Sequence, residues 1–312
     1  MPGSTRVKAA LLKKETTYGV DAMPVGNSNA ILLRNANITP LEAKMEARDI
    51  ATPALGHMED ILVGQSMLLE AELEFAGSGT LGVAPAWGLA LQLCSFAEVI
   101  TPDVSVEYNP ISAAVPSGTI YYYYAGKLHK LLGARGDMTK ISVAAGKLPV
   151  MGVKYTALYG GIATAPPPGT LDLSAWQKPE GVNKANTSMA NVHGLNTPFY
   201  EFEMQLANTV VHRDLPGRED VVITDRAPVG SIVIPDPDLN SYNFFDAVRL
   251  ATVGAFSFLH GTTEGNQVNV NSNYLQVTGA SYEDRDKDVA LKLALKFTHG
   301  PTGNNDFFIR SQ

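Results

Sequence analysis

The six histidines, His57, His129, His193, His212, His260 and His299, come first, because a neutral imidazole can serve as a metal ligand or as a general base. None stands in a His-x-His or His-x-x-x-His pair, the spacings that would bring two ring nitrogens together, so the pattern offers no zinc set. Asp236 and Asp238 in PDPD, and Glu283, Asp284, Asp286 and Asp288 in YEDRDKD, have the oxygen density for calcium. Arg285 and Lys287 interleave the second run and no EF-hand glycine is present, so solvated turns account for both. Gly-x-Ser-x-Gly, phosphate-loop and dinucleotide fingerprints are absent. The single cysteine, Cys94, lies among Leu89, Ala90, Leu91, Leu93 and Phe96 and reads as a packed hydrophobe. No catalytic constellation, cofactor site or metal site is expected.

Residues 118–137, GTIYYYYAGKLHKLLGARGD, offer a different chemistry: aromatic rings that stack on sugars, and an adhesion tripeptide. On a strand, Tyr122 and Tyr124 share a side with Ile120, while Tyr121 and Tyr123 take the other, so the tyrosines form no single platform. Both sides must then be covered. Ala125-Gly126 supplies a tight turn and residues 127–132 the returning strand of a hairpin. Gly133 and Gly136 read as the next turn, which would leave Arg135-Gly136-Asp137 in a connector.

The third pattern is a row of carboxylates. In SMLLEAELEF, residues 66–75, the apolar Met67, Leu69, Ala71, Leu73 and Phe75 alternate with Glu70, Glu72 and Glu74. FYEFEM repeats the arrangement, with Glu201 and Glu203 opposite Tyr200, Phe202 and Met204. Such a row repels a polyanion, or is the solvated face of an outer strand; both readings stand.

The elements that position these residues follow from composition and punctuation. A chain of 312 residues with 45% hydrophobic content buries a sizeable core, and a formal charge of −7 argues against free nucleic-acid affinity. No uncharged apolar stretch reaches the roughly 18 residues of a membrane helix. In MPGSTRVKAALLKKETTYG, Lys8, Lys13 and Lys14 bracket residues 9–12, so no export signal is read there. Residues 1–27 read as a polar arm, contributing contacts but not the fold. Residues 28–160 form a first β lobe, in which Pro85 opens the helix PAWGLALQLCSF. Residues 161–198, with Pro166-Pro167-Pro168, read as a linker or external loop, and residues 199–312 as a second β lobe with a helix in 241–252. The order strand, long loop, strand, helix, meander occurs twice and reads as an internal duplication. The fold class is mainly β: an antiparallel sandwich or barrel with a flanking helix, in two similar lobes.

The joint order of LLKKETTYGVDAMP, GSGTLGVAPAWGLALQLCSF, YYYYAGKLHKLLGARGDMTKISVAAGKLPVMGVKYTALYGG and ITDRAPVGS resembles the major tail tube proteins of long-tailed, non-contractile bacteriophages, over residues 11–300. The resemblance implies a structural virion protein and not an enzyme. Protomers close into rings whose inner sheets join as one barrel, and rings stack into a conduit for genome delivery. Implied partners are further copies of the chain, the tail terminator, the tape measure and the distal tail proteins. Double-stranded DNA passes without binding, no membrane is involved, and the virion tail is assembled in the bacterial host cytoplasm. Relatives are mostly shorter and hexameric. The length and repeated order therefore point to a trimer whose two lobes imitate six subunits, with a hexamer as the alternative. Four lumen strands per lobe give about 24 strands in a trimer and a diameter of about 52 Å between backbones, roughly 40 Å clear of side chains. A DNA duplex passes through such a channel. Glu70, Glu72, Glu74, Glu201 and Glu203 are the candidates for an acidic lumen that does not grip phosphates. Lys292 and Lys296 in VALKLALKF would then face outward or pair at an interface. The competing reading is a carbohydrate-binding or adhesive β-sandwich of a phage appendage, served by the tyrosines and Arg135-Gly136-Asp137. Residues 1–27, 38–63 and 160–198 are the expected donors of contacts between protomers and rings.

Overall fold

Met67, Leu69, Ala71, Leu73 and Phe75 are buried and the three intervening glutamates are not, so the period-2 reading of SMLLEAELEF holds in three dimensions. The computed structural model describes residues 6–312. The first lobe begins with β1 (Lys8–Lys14), α1 (Gly26–Asn29), β2 (Ala30–Ile31) and the long hairpin of β3 (Arg34–Glu46) and β4 (Ile61–Glu74). It continues through α2 (Gly88–Gln92), β5 (Phe96–Thr101), β6 (Ser105–Pro110), β7 (Gly118–Tyr124), β8 (Lys127–Ala144) and β9 (Val150–Thr164). After β10 (Ala190–Val192) and β11 (Leu195–Thr197), the second lobe comprises β12 (Glu201–Gln205), β13 (Asn208–Leu215), β14 (Arg218–Arg226) and β15 (Val229–Pro235). It closes with α3 (Phe244–Arg249), β16 (Val253–His260), β17 (Val268–Arg285), β18 (Asp288–Phe297) and β19 (Phe308–Ser311).

All paired strands run antiparallel, and eight of them form one uninterrupted sheet in the order β3-β4-β9-β8-β12-β15-β18-β17. The strands β8 and β17, 18 residues each, also serve a second layer. The N-terminal part of β8 pairs with β7, and that of β17 with β16 and β19. Between the layers lies one hydrophobic core that draws Trp87, Phe96 and Tyr108 from the first lobe and Phe202, Phe256 and Phe297 from the second. Trp87 Nε1 donates to Ala76 O at 2.7 Å and the Tyr155 hydroxyl to Ala90 O at 2.8 Å, which fixes α2 on the core side of the sheet. No barrel closes within the described residues.

The two lobes share a wiring pattern. In the first, β3 pairs with β4, β4 with β9, and β9 with β8, which turns back to β7. In the second, β12, β15, β18, β17 and β16 repeat that sequence of pairings, with α3 in the place of α2. The register agrees as well. Past the last paired residues, Phe75 N donates to Pro149 O in one lobe and Asp236 N to Val289 O in the other. The pairing of β8 with β12 stitches the two lobes together.

Several expectations need correction. Residues 6–27 are no arm, and residues 1–5 lie outside the described residues. All seven residues of β1 pair with β7, from Lys8 opposite Tyr124 to Lys14 opposite Gly118, and Ala9, Ala10, Leu11 and Leu12 are buried. A strand covered on both faces shows an apolar run, not an alternation, and KAALLKK is too short to reveal one. Residues 161–198 are not a free linker either. The strand β9 extends to Thr164, Val182, Ala190 and Val192 are buried, and Leu171 packs beneath β7. Gly133 and Gly136 make no turn; β8 passes through both, carried by bulges. At Gly136 a Cβ would lie 2.3 Å from Lys154 O, so glycine serves close approach there and not reversal. The Ala125-Gly126 turn is as read, with φ of 52° and 74°.

Candidate functional site

Directly opposed residues in an antiparallel sheet point to the same side, so the register carries face assignments across all eight strands. From Glu70 the polar face runs to Lys154, and from Glu72 through Gly152 to Lys140. Ser142 faces Glu203, which continues through Ser231 to Ala294. Glu201 leads through Val233 to Lys292, and Gln205 through Val229 to Lys296. The five glutamates singled out from sequence therefore share one face, Glu74 being in phase with Glu72. Lys292 and Lys296 lie on that same face, which corrects the expectation that they point elsewhere.

The glutamates are not bare. Glu70 pairs with Lys154 at 2.7 Å, Glu72 with Lys140 at 2.6 Å, and Glu74 with Arg34 at 3.8 Å. Arg285 bridges Glu201 at 3.0 Å and Glu283 at 2.9 Å, while Glu203 accepts from the Ser142 hydroxyl at 3.3 Å. Hydrogen bonds from Lys140 and Asn35 outweigh partial burial and lower the pKa of Glu72. These side chains retain a good deal of solvent, so each pair contributes about 0.2–1 kcal/mol at most. Their weight lies in the sign of the surface, not in stability. Sequence reasoning found the acids and missed Arg34, Lys140, Lys154 and Arg285. Lys140 alternates with Ser142 on its strand, a local hint, but only the register across strands shows which acid each cation meets.

The adhesive residues are consumed internally. Tyr122 belongs to the main core. Tyr121 and Tyr123 pack with Ala9, Leu11 and Leu128 under Ala165 and Leu171. Tyr121 donates its hydroxyl to Asp21 at 2.6 Å, and Lys130 reaches the same carboxylate at 2.9 Å. Burial raises the Asp21 carboxyl, yet these two hydrogen bonds prevail and its pKa is lowered. The neighbour covering the second tyrosine face is thus the chain itself. Arg135 donates to Val221 O at 2.7 Å and Val115 O at 2.9 Å, and its guanidinium lies over the Tyr18 ring. Asp137 accepts from Asn208 N at 2.8 Å. Arg135-Gly136-Asp137 is a stretch of strand that anchors its neighbours.

A family model described as phage tail tube protein matches residues 5–306, nearly the whole chain. The chain belongs to the phage tail tube protein family. A search of curated proteins found no match. Membership makes this a structural protein of the virion tail, one that assembles with itself into a tube and meets other tail proteins. Among the described residues no helix is long and apolar enough to cross a membrane.

Asp137 offers a test of the fork where β7 and β12 part from β8. Burial raises its pKa against the opposing help of Asn208 N and Lys154. A carboxyl raised in the folded state favours folding below its ordinary pKa, near 4, and loses that contribution as pH rises through the raised value. Asp137→Asn keeps the acceptor and removes the charge. It is expected to equal the parent's melting temperature near pH 4 and exceed it by about 1–3 °C at pH 7. A lower melting temperature at pH 7 would mean that Lys154 governs the site.

Proposed function

We propose that this chain forms the tail tube of a long-tailed, non-contractile phage, as rings whose lumen wall is the polar face of the eight-strand sheet. The carrying observation is the pair of open edges at the ends of that sheet. The strand β3 pairs only with β4, and the C-terminal half of β17 only with β18, among the described residues. With eight strands alternating in direction, β17 of one copy meets β3 of the next antiparallel in any cyclic ring. An open edge otherwise invites uncontrolled association. The β8–β12 joint supplies the pattern for the seam. Ile141 opposite Met204 there corresponds to Tyr282 opposite Ile38 of the next copy, matched through the shared register. Tyr282 is 65% exposed in the single chain, an unusual state for a ring on the core side of a sheet.

The two lobes, the first including β1, are then two ring units in one chain, and three chains supply about 24 strands, a bore that admits a DNA duplex. The wall is a lattice of matched charges more than a bare acidic surface. Its carboxylates occupy lysines and arginines that would otherwise bind phosphates and slow passage of the genome. Capping by terminator, tape-measure and distal tail proteins, and assembly in the host cytoplasm, belong to the same reading. Negative-stain microscopy of the concentrated protein is expected to show hollow filaments. Ile38→Cys/Tyr282→Cys is expected to give covalent oligomers that stop at the ring size. A chain that stays monomeric at every concentration and forms no cross-link would sink the proposal.

A further inference from the structure

We infer that the cleft beside the β14–β15 junction receives the β3–β4 arm of the adjacent copy in the same ring, so that each seam is clasped as well as hydrogen-bonded. The inference rests on the ring reading and adds a binding surface to it.

The pattern for the clasp lies within the chain. The hairpin β13–β14 leaves the second lobe and folds back over β8 and β9 of the first. It is pinned there at two places. Asn208 Nδ2 donates to Gly136 O at 3.1 Å and Cys94 O at 2.9 Å, and Val221 is held by the Tyr18 hydroxyl on its N–H and by Arg135 on its carbonyl. Its far end reaches the root of the β3–β4 arm, where a Cβ on Gly64 would lie 3.5 Å from Asp214 Oδ2.

The shared register says where the equivalent contact falls in the second lobe. Phe75 corresponds to Asp236, and the β3–β4 and β13–β14 ladders, which shift register at the same place, carry that match on to put Asp225 in the place of Gly64. Asp225 lines an open cleft of about 620 Å³, with Ile223, Arg226 and Pro228 on one wall and Lys296 and His299 on the other. Nothing among the described residues fills it. Asn37 corresponds to Glu203 through their partners Glu70 and Ser231, and with the bulge between Thr39 and Glu42 counted, Asp49 of the arm takes the place of Asp214. The arm also has surface to hide: Leu41, Met45, Ile61, Leu62 and Val63 are 45–53% exposed, whereas Val221 of the docked hairpin is fully buried. A second copy of this chain is the occupant that fits by repeat position and apolar content.

Asp49→Cys/Asp225→Cys tests the clasp in assembled tubes under mild oxidation, with Ile38→Cys/Tyr282→Cys as reference; Cys94 is buried and silent. The expected result is a ladder of covalent oligomers ending at the same species for both pairs, with most chains joined. Tubes in which the reference pair joins but the clasp pair does not would overturn the clasp and leave the ring standing. A clasp ladder running past the reference size would place the arm in the next ring and overturn it too. If neither pair joins and the parent forms no tubes, the ring reading fails and the clasp with it.

Discussion

Deleting residues 1–20 is expected to unfold the chain, not to leave a folded subunit that cannot polymerise. The strand β1 is paired along its length with β7 and lies between β7 and β2. Leu11 and Leu12 are 1% and 6% exposed, and truncating a buried leucine costs about 2–5 kcal/mol. Glu15 is lost too. Its carboxylate accepts from Ser117 Oγ at 2.7 Å, Gly133 N at 2.8 Å and Thr119 Oγ1 at 2.9 Å, so three donors become orphans. Tyr18, which holds the β13–β14 hairpin, goes as well. The sum exceeds the roughly 5–15 kcal/mol by which a domain is stable. Near-ultraviolet circular dichroism and a thermal melt check this. A truncated chain that melts cooperatively near the parent temperature would show β1 to be dispensable.

The second large effect concerns the wall. Replacing Glu70, Glu72 and Glu74 together by lysine places new cations beside Lys154, Lys140 and Arg34, where ion pairs now stand. The stability cost is a few kcal/mol at most, because the pairs are exposed, so tubes are expected to assemble. On the proposed lumen reading, DNA in transit then meets cations that bind phosphate, and the rate of genome ejection is expected to fall at least about tenfold at low salt and recover as salt rises. The triple glutamine variant, which only releases the existing cations, is expected to fall between. Ejection at the parent rate from particles carrying the lysines would remove the polar face from the lumen.

The sequence made the face legible but not the pairing. Alternation in SMLLEAELEF and FYEFEM is a local signal, and the turn at Ala125-Gly126 is fixed by backbone sterics. The order of strands around each helix also survived, because turn residues punctuate both lobes alike. Elements covered on both sides left no such trace. KAALLKK looked like part of an arm because its four apolar residues fall together. The proline-rich segment looked detached because its buried residues, Val182, Ala190 and Val192, are few and far apart. Arg135-Gly136-Asp137 looked like a connector because Gly133 and Gly136 have two uses, reversal and close approach, and only the neighbouring strand decides between them. The partners of the glutamates depend on register between strands as distant as β4 and β8, which no single strand encodes.

The β8–β12 joint also bears on how a ring begins. In a ring built from this chain, every second seam joins strands that already belong to one molecule. A tethered edge meets its partner at an effective concentration near the millimolar range, whatever the amount of protein present. Only the seams between β17 and β3 draw on the supply of free subunits. In the proposed trimer, three chains close a circle that single-lobe subunits would need six encounters to close, and dilution weakens alternate seams while leaving the others intact.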